Sequence, residues 1–190
     1  NTKRILLPLL IIFSLFIIYF LYISLSDYKP EEATILTIYN NQVKNITKDK
    51  PLKIATFNIG FAGLDKDRDL YEKGGNSYKA ESEEKVFENL ESIVEIIDSM
   101  DPDFFMIQEL DIDSSRSYKI DQLSYLDDKY PNYGNIYGDN YNIKYLLKPI
   151  GKVQSGLATF SRYNATSAIR FSLPGQQEGL NKYYDYDRAF

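Results

Sequence analysis

An uncharged apolar segment near the amino terminus most constrains how this chain can fold. Residues 5–25 read ILLPLLIIFSLFIIYFLYISL, and no charged residue lies between Arg4 and Asp27. A run of about 20 apolar residues can cross a bilayer as a helix. Because Lys3 and Arg4 precede the run and acidic residues follow it, the positive-inside rule predicts a cytoplasmic amino terminus. We therefore expect a single-pass protein of the cell membrane, with residues 1–26 as its cytoplasmic end and signal anchor.

Two alternative interpretations of the apolar segment stay open. Ser24 and Ser26 are small residues that could mark the cleavage site of a signal peptide. A buried core helix is the second alternative, although a segment that is apolar all round suits lipid better. The segment is longer than the hydrophobic region of most signal peptides, which favours an uncleaved anchor.

The composition becomes polar after this segment. Residues 27–51 include Pro30 and Pro51, and we interpret them as an extracytoplasmic stalk with a short edge strand within residues 34–39. Residues 52–190 are then one extracytoplasmic domain. The net charge of -5 and the absence of Lys or Arg runs argue against binding to duplex nucleic acid through charge.

Two residue types are missing, and their absence limits the chemistry. The 190 residues contain neither Cys nor His. The lack of Cys excludes disulfides, thiolate metal sites and thiol nucleophiles. Without an imidazole, a general base would have to be a carboxylate, Lys or Tyr with a shifted pKa.

A strand, a helix and a second strand open the domain. Residues 52–60, LKIATFNIG, form a β-prone run with Leu52, Ile54 and Thr56 expected around the core. Apolar residues then recur at helical spacing up to Met100, and Ser82 is a suitable N-cap. The next run, FFMIQ, is the second strand. This order predicts an α/β layer architecture.

Polar side chains follow both predicted strands. Asn58 lies near the carboxyl end of the first, and the second runs directly into Glu109. In layered α/β proteins, functional side chains gather just beyond strand ends. One amide and one carboxylate suit a hard cation such as Mg²⁺, which keeps several waters. The alternative is that Glu109 merely leaves the core and Asn58 satisfies the turn before Gly60.

Several segments resemble one known superfamily. TFNIG followed by IQELD is similar to the first two motifs of the endonuclease/exonuclease/phosphatase (DNase I-like) superfamily, in a membrane-anchored bacterial branch. Further segments agree in order: GGNS, DSSRSYKIDQ, NYNIKYLLKP, SGLATFSRY and DYDRAF. The resemblance implies a partial four-layer α/β sandwich after a transmembrane helix. It also implies hydrolysis of phosphodiester or phosphomonoester bonds with Mg²⁺ (or Mn²⁺).

The resemblance assigns roles to particular residues. Glu109 matches the acidic ligand of the catalytic metal, and Asn58 matches the asparagine that supports that ligand and the phosphate. Arg116, Asn140 and Tyr141 fall in segments near the active-site rim of such proteins, so they are candidates for substrate binding. Arg116 has an alternative role, a surface ion pair with a neighbouring aspartate.

The superfamily also implies catalytic histidines, a GDFN-like loop and a terminal Asp-His motif, which the 190 residues lack. We therefore expect an incomplete, amino-terminal portion of the domain that is inactive alone. An exposed apolar sheet face would then favour self-association or a complementing fragment. The alternatives are a non-enzymatic, membrane-anchored binding or scaffold protein and an adhesion or stalk module.

Overall fold

Three α-helices and seven β-strands make up the regular structure in residues 2–64, 78–144 and 151–174, the parts that the computed structural model describes. In chain order they are α1 (Thr2–Ser26), β1 (Ala33–Ile35), β2 (Ile38–Tyr39), β3 (Ile54–Asn58), α2 (Glu83–Met100), β4 (Phe104–Asp111), α3 (Gln122–Lys129), β5 (Gly134–Ile143), β6 (Val153–Ser161) and β7 (Ile169–Phe171). The segments GGNS and DYDRAF and part of NYNIKYLLKP lie outside the described residues.

Helix α1 coincides with the apolar segment. Residues Arg4–Ser26 are long and apolar enough to cross a membrane, and the apolar window within them is not buried against protein. A core helix would bury at least one face, so this exposure favours an anchor or a signal sequence over that alternative.

The five-stranded sheet has the strand order β2-β5-β6-β4-β3. Strands β3 and β4 are parallel because α2 crosses between them, whereas the other neighbours are antiparallel. Asn58 pairs with Gln108, so the carboxyl ends of β3 and β4 meet at the same edge. A second sheet consists of β1 and β7. The chain is therefore a mixed α/β protein with two sheets, as the sequence predicts.

The two sheets also use residues from the predicted stalk. Within residues 27–51, β1 pairs with β7 and β2 pairs with β5, each in antiparallel register. The predicted edge strand is thus two strands that belong to different sheets. We place both with the domain rather than with a stalk, because their backbone hydrogen bonds are made to domain strands.

Helices α2 and α3 cover one face of the five-stranded sheet. Helix α2 begins as predicted, since the Ser82 hydroxyl accepts a hydrogen bond from the Lys85 amide at 3.1 Å. Buried residues of α2, α3 and the central strands form the core: Val86, Leu90, Ile97, Phe105, Ile107, Leu110, Leu126, Ala158 and Phe160. On β3, Ala55 and Phe57 pack against this core. The expected inner residues Ile54 and Thr56 face away, because the helices cover the other side.

The face opposite the helices is only partly covered. Leu36 and Arg170, from the region of the small sheet, line a cleft of about 450 Å³ against this face. Ile54 remains 64% exposed and Met106 38% exposed. These two side chains share one face, since Met106 pairs with Thr56, two residues from Ile54.

Candidate functional site

A β-bulge in β4 determines where Glu109 points. Ile107 pairs with Ala158 and Leu110 pairs with Gly156, so β4 has one residue more than β6 across this step. The backbone of Glu109 has φ 54°, in the left-handed region. Because the bulge breaks the alternation of faces, Ile107 and Leu110 both enter the core, and Glu109 stays half-buried outside it.

Asn58 is hydrogen-bonded to both Glu109 and Gly60. Its Nδ2 donates to Oε1 of Glu109 at 2.8 Å, and its Oδ1 accepts from the Gly60 amide at 2.9 Å. The turn-satisfying role and the pairing with Glu109 therefore occur together. The second carboxylate oxygen, Oε2, receives no hydrogen bond from the residues that the structure describes. The pair thus presents a fixed carboxylate with one oxygen available.

Asn58 and Glu109 line a cleft of about 600 Å³ beside the sheet. Its other walls are the turn Gly60–Ala62, Arg116, and α2 residues that include Asn89. A cleft with a few convergent polar groups on an otherwise apolar wall is the usual form of a small-ligand site.

The turn Gly60–Ala62, which lines the cleft, is conformationally strained. Gly60, Phe61 and Ala62 have successive φ values of 50°, 47° and 50°. Phe61 and Ala62 are not glycine, so this conformation persists only when surrounding contacts hold it. Two side-chain amides supply such contacts: Gln122 Nε2 donates to the Phe61 carbonyl at 2.7 Å, and Asn89 Nδ2 donates to the Ala62 carbonyl at 2.9 Å.

Arg116 forms an ion pair with a neighbouring aspartate, Asp111, as its alternative role predicts. The pair is buried, however, and does not lie at the surface. The Arg116 Nε and Nη2 atoms donate to the two carboxylate oxygens at 3.0 and 2.9 Å. The Ser117 hydroxyl donates to the same carboxylate at 2.8 Å. The guanidinium also lies 4.2 Å from the centre of the Phe61 ring. Arg116 thus lines the cleft in an orientation that Asp111 fixes.

Asn140 and Tyr141 lie on β5, which β6 separates from β4. Asn140 is the extra residue of a second bulge between Asp139 and Tyr141. Its Oδ1 is buried and unpaired within the described residues, and Tyr141 is 7% exposed. Neither lines the cleft with Asn58 and Glu109. Their part in substrate binding stays a prediction.

Gln122 and Asn89 received no role from the sequence, although both hold the cleft. Gln122 lies within the segment DSSRSYKIDQ, but nothing in residue spacing distinguishes a buried glutamine from an exposed one at the start of a helix. Asn89 lies on α2 beside the apolar stripe, a position that helical periodicity alone assigns to the boundary between core and solvent.

The donor set limits which ion the cleft could hold. The described residues contain no group of three or more His, Cys, Asp or Glu side chains that could enclose a metal. Glu109 with Asn58 therefore fits a cation that keeps most of its waters and takes one carboxylate, as Mg²⁺ does. A softer ion that needs several nitrogen or sulfur ligands does not fit.

The comparisons with known proteins agree with this architecture. The model of the endonuclease/exonuclease/phosphatase family matches residues 55–185, which is more than half of the chain. The chain therefore belongs to this family and carries a domain of a hydrolase superfamily. Searches of curated proteins and of solved structures gave no match.

Proposed function

We propose that the domain contains the metal-binding part of a metal-dependent phosphoesterase site. The observation that carries this proposal is the hydrogen-bonded pair of Asn58 and Glu109 at the joined ends of two parallel strands. Family membership supports hydrolysis as the reaction class. The substrate class is a phosphodiester or phosphomonoester.

Glu109 would hold Mg²⁺ (or Mn²⁺) through Oε2, while Asn58 holds the other oxygen and so fixes the plane of the carboxylate. The bound ion supplies positive charge that stabilises the phosphoryl oxygens of the substrate. Arg116 is a candidate for contact with the same phosphate, in the orientation set by Asp111. Asn140 and Tyr141 would act at the rim.

Activation of the attacking water needs a general base. The 190 residues contain no histidine, so no side chain in them has an unperturbed pKa near neutrality. Loss of the base typically lowers a hydrolytic rate by about 10² to 10⁴. We therefore expect turnover by these residues alone to be very slow, and we choose metal binding as the test.

The test compares the Mn²⁺ affinity of the wild-type full chain in detergent with that of two variants. Binding is measured by the loss of the free Mn²⁺ electron paramagnetic resonance signal. Glu109→Gln keeps the size of the side chain but removes its charge, and we expect an affinity loss of about tenfold or more. Glu95→Gln, at an exposed position of α2, is the matched control and should bind as the wild type does. Equal affinity in both variants would contradict the proposal and favour the scaffold alternative.

We also propose that α1 anchors the domain outside the cell membrane. The exposed apolar surface of α1 and the charges flanking it support this orientation. Because the chain lacks Cys, single cysteines report sidedness cleanly. An impermeant maleimide should label Asp49→Cys in intact cells and Thr2→Cys only after permeabilisation. The reverse pattern would contradict the orientation, and release of the labelled domain from membranes would indicate a cleaved signal peptide.

The partly covered sheet face supports a proposal of self-association or of binding to a complementing fragment. Ile54 and Met106 are large apolar side chains exposed on this face. Sedimentation velocity of the full chain in detergent should show species larger than a monomer. Met106→Lys should shift the distribution towards the monomer, whereas Val43→Lys, at an exposed position before β3, should not.

A further inference from the structure

We propose that Gln122 is a positioning residue, which sets the spacing between the two chain segments that carry Asn58 and Glu109. This inference rests on the proposed metal site and adds a residue that does not itself contact the ion. Gln122 is the first residue of α3 and is fully buried.

The side chain of Gln122 bridges two backbone groups, one in each of the segments that carry Asn58 and Glu109. Its Oε1 accepts a hydrogen bond from the Asp111 amide at 3.1 Å, and its Nε2 donates to the Phe61 carbonyl at 2.7 Å. A carboxamide has one accepting end and one donating end, so these two partners together fix its orientation. In a buried setting, loss of either bond would leave a backbone group unpaired.

The bridged groups lie close to the proposed site along the chain. Asp111 is two residues after Glu109, and Phe61 is three residues after Asn58. The Asn58 to Glu109 hydrogen bond and the Gln122 bridge therefore connect the same two segments at two points. The backbone ladder of β3 and β4 ends at the pair of Asn58 and Gln108, where the Ile59 amide also donates to the Gln108 carbonyl. The Gln122 bridge adds a connection beyond that end.

Both segments need such support because both are strained. Glu109 and Phe61 each have a positive φ without being glycine, at 54° and 47°. Strained residues relax towards ordinary φ values when their contacts are removed. Relaxation of either segment would move the carboxylate relative to Asn58, and ligand groups displaced by about 1 Å lose much of their function.

The anchoring of α3 makes Gln122 a rigid support. The Asp121 carboxylate caps the helix by accepting from the Ser124 amide at 2.9 Å. Leu126, one turn further on, is fully buried in the core. The position of Gln122 is thus set by the helix and not by the cleft, so the bridge can hold the cleft residues in place.

A purely structural role for Gln122 makes a different prediction. Burial of two satisfied backbone groups would stabilise the fold but leave the metal affinity of the folded protein unchanged. The positioning role requires the affinity itself to change. Mn²⁺ binding by the folded full chain, with folding checked by circular dichroism, separates the two.

Gln122→Met keeps the length of the side chain and removes both hydrogen bonds. We expect its Mn²⁺ affinity to fall by about tenfold, the size of effect that supporting groups around metal ligands have. Gln122→Glu keeps an acceptor for the Asp111 amide but cannot donate to Phe61 when ionised, and its affinity should also fall. Gln154→Met removes a half-buried amide that donates to Asp139 elsewhere in the sheet, and it should bind as the wild type does.

Three results would overturn the inference. Wild-type affinity in folded Gln122→Met would do so, as would an equal loss in Gln154→Met. If Gln122→Met does not fold, Gln122→Glu replaces it, and wild-type affinity in that folded variant would overturn the inference. If only Glu109→Gln loses Mn²⁺ affinity, the inference about Gln122 fails and the proposed metal site stands. If Glu109→Gln keeps the wild-type affinity, the proposed metal site itself is rejected.

Discussion

Arg116, which lines the cleft, forms a buried two-point ion pair with Asp111. The Asp111 side chain is fully buried and that of Arg116 is 9% exposed. Removing one partner of such a pair leaves an uncompensated buried charge, which typically costs about 3 to 5 kcal/mol. We therefore expect Arg116→Met to lower the free energy of unfolding by about that amount, measured by chemical denaturation of the full chain in detergent.

The double variant Asp111→Leu/Arg116→Met is the control for this prediction. It removes both charges, so it should be more stable than Arg116→Met alone, because no unpaired charge remains. If the double variant loses as much free energy of unfolding as Arg116→Met and Asp111→Leu lose together, the pair has no coupling energy.

Helix α2 and the location of the proposed site were predictable because their signals are local. Apolar spacing and the Ser82 cap define α2 within its own residues. The polar ends of two successive strands indicated Asn58 and Glu109, since parallel strands joined by a helix end at the same edge. The superfamily resemblance was confirmed by the family match.

The remaining features depend on partners far along the chain. The bulge at Glu109 exists only relative to β6, some 45 residues later, and strand periodicity alone would place this residue in the core. Likewise, β1 and β2 gain their strand pairing from β7 and β5. The burial of Gln122 depends on where α3 meets the turn at Phe61. No pattern within a short window reports such contacts.

The left-handed backbone of Glu109 makes a prediction about stability. Glu109→Gly and Glu109→Ala both remove the carboxylate, but glycine adopts φ 54° without a steric penalty. We expect the Gly variant to be more stable than the Ala variant by about 1 kcal/mol in chemical denaturation. At an ordinary strand position the order would reverse, so Thr56→Gly and Thr56→Ala on β3 are the matched pair. An Ala variant at residue 109 as stable as the Gly variant would mean that the bulge rearranges.

Gly156 is required where the two bulges face each other across β6. A Cβ atom there would meet the backbone oxygen of Gly138 and, at 2.7 Å, the ring of Tyr137. We expect Gly156→Ala to destabilise the domain by about 1 to 3 kcal/mol, the usual cost of overpacking. At Gly138 the nearest atom is the flexible end of Leu36 at 3.2 Å, so Gly138→Ala should cost less. Thermal unfolding of both variants checks this order.

Asp103 should contribute to loss of stability in acid. The backbone amide of Lys53 donates to it at 3.0 Å and the Tyr163 hydroxyl donates at 2.9 Å, and these bonds hold the pKa of the carboxyl below its usual range. A pKa that is lower in the folded state gives stability that is present above the unfolded value of about 3.9 and is lost as the pH falls through the folded value.

Asp103→Asn removes the charge that this dependence requires. The free energy of unfolding of the variant, measured at pH 7, 5, 4 and 3, should fall less steeply between the last two points than that of the wild type. Asp128→Asn, at an exposed position of α3, serves as the control and should retain the wild-type slope. Equal slopes in all three proteins would contradict the assignment.

Arg170 on β7 carries a buried charge with no anionic partner among the described residues. Its Nε donates to the Asp139 carbonyl at 2.7 Å, whereas Nη1 and Nη2 are buried without a hydrogen-bond partner among the described residues. Burial without an anionic partner is costly for a guanidinium, which keeps its charge. Arg170→Met should therefore raise the free energy of unfolding by about 1 kcal/mol or more.

Arg162→Met is the control for this prediction. It breaks a partly exposed pair with Asp101 and should lower the free energy of unfolding by no more than about 1 kcal/mol. A destabilised Arg170→Met variant would instead mean that an anionic group neutralises Arg170 in the folded protein.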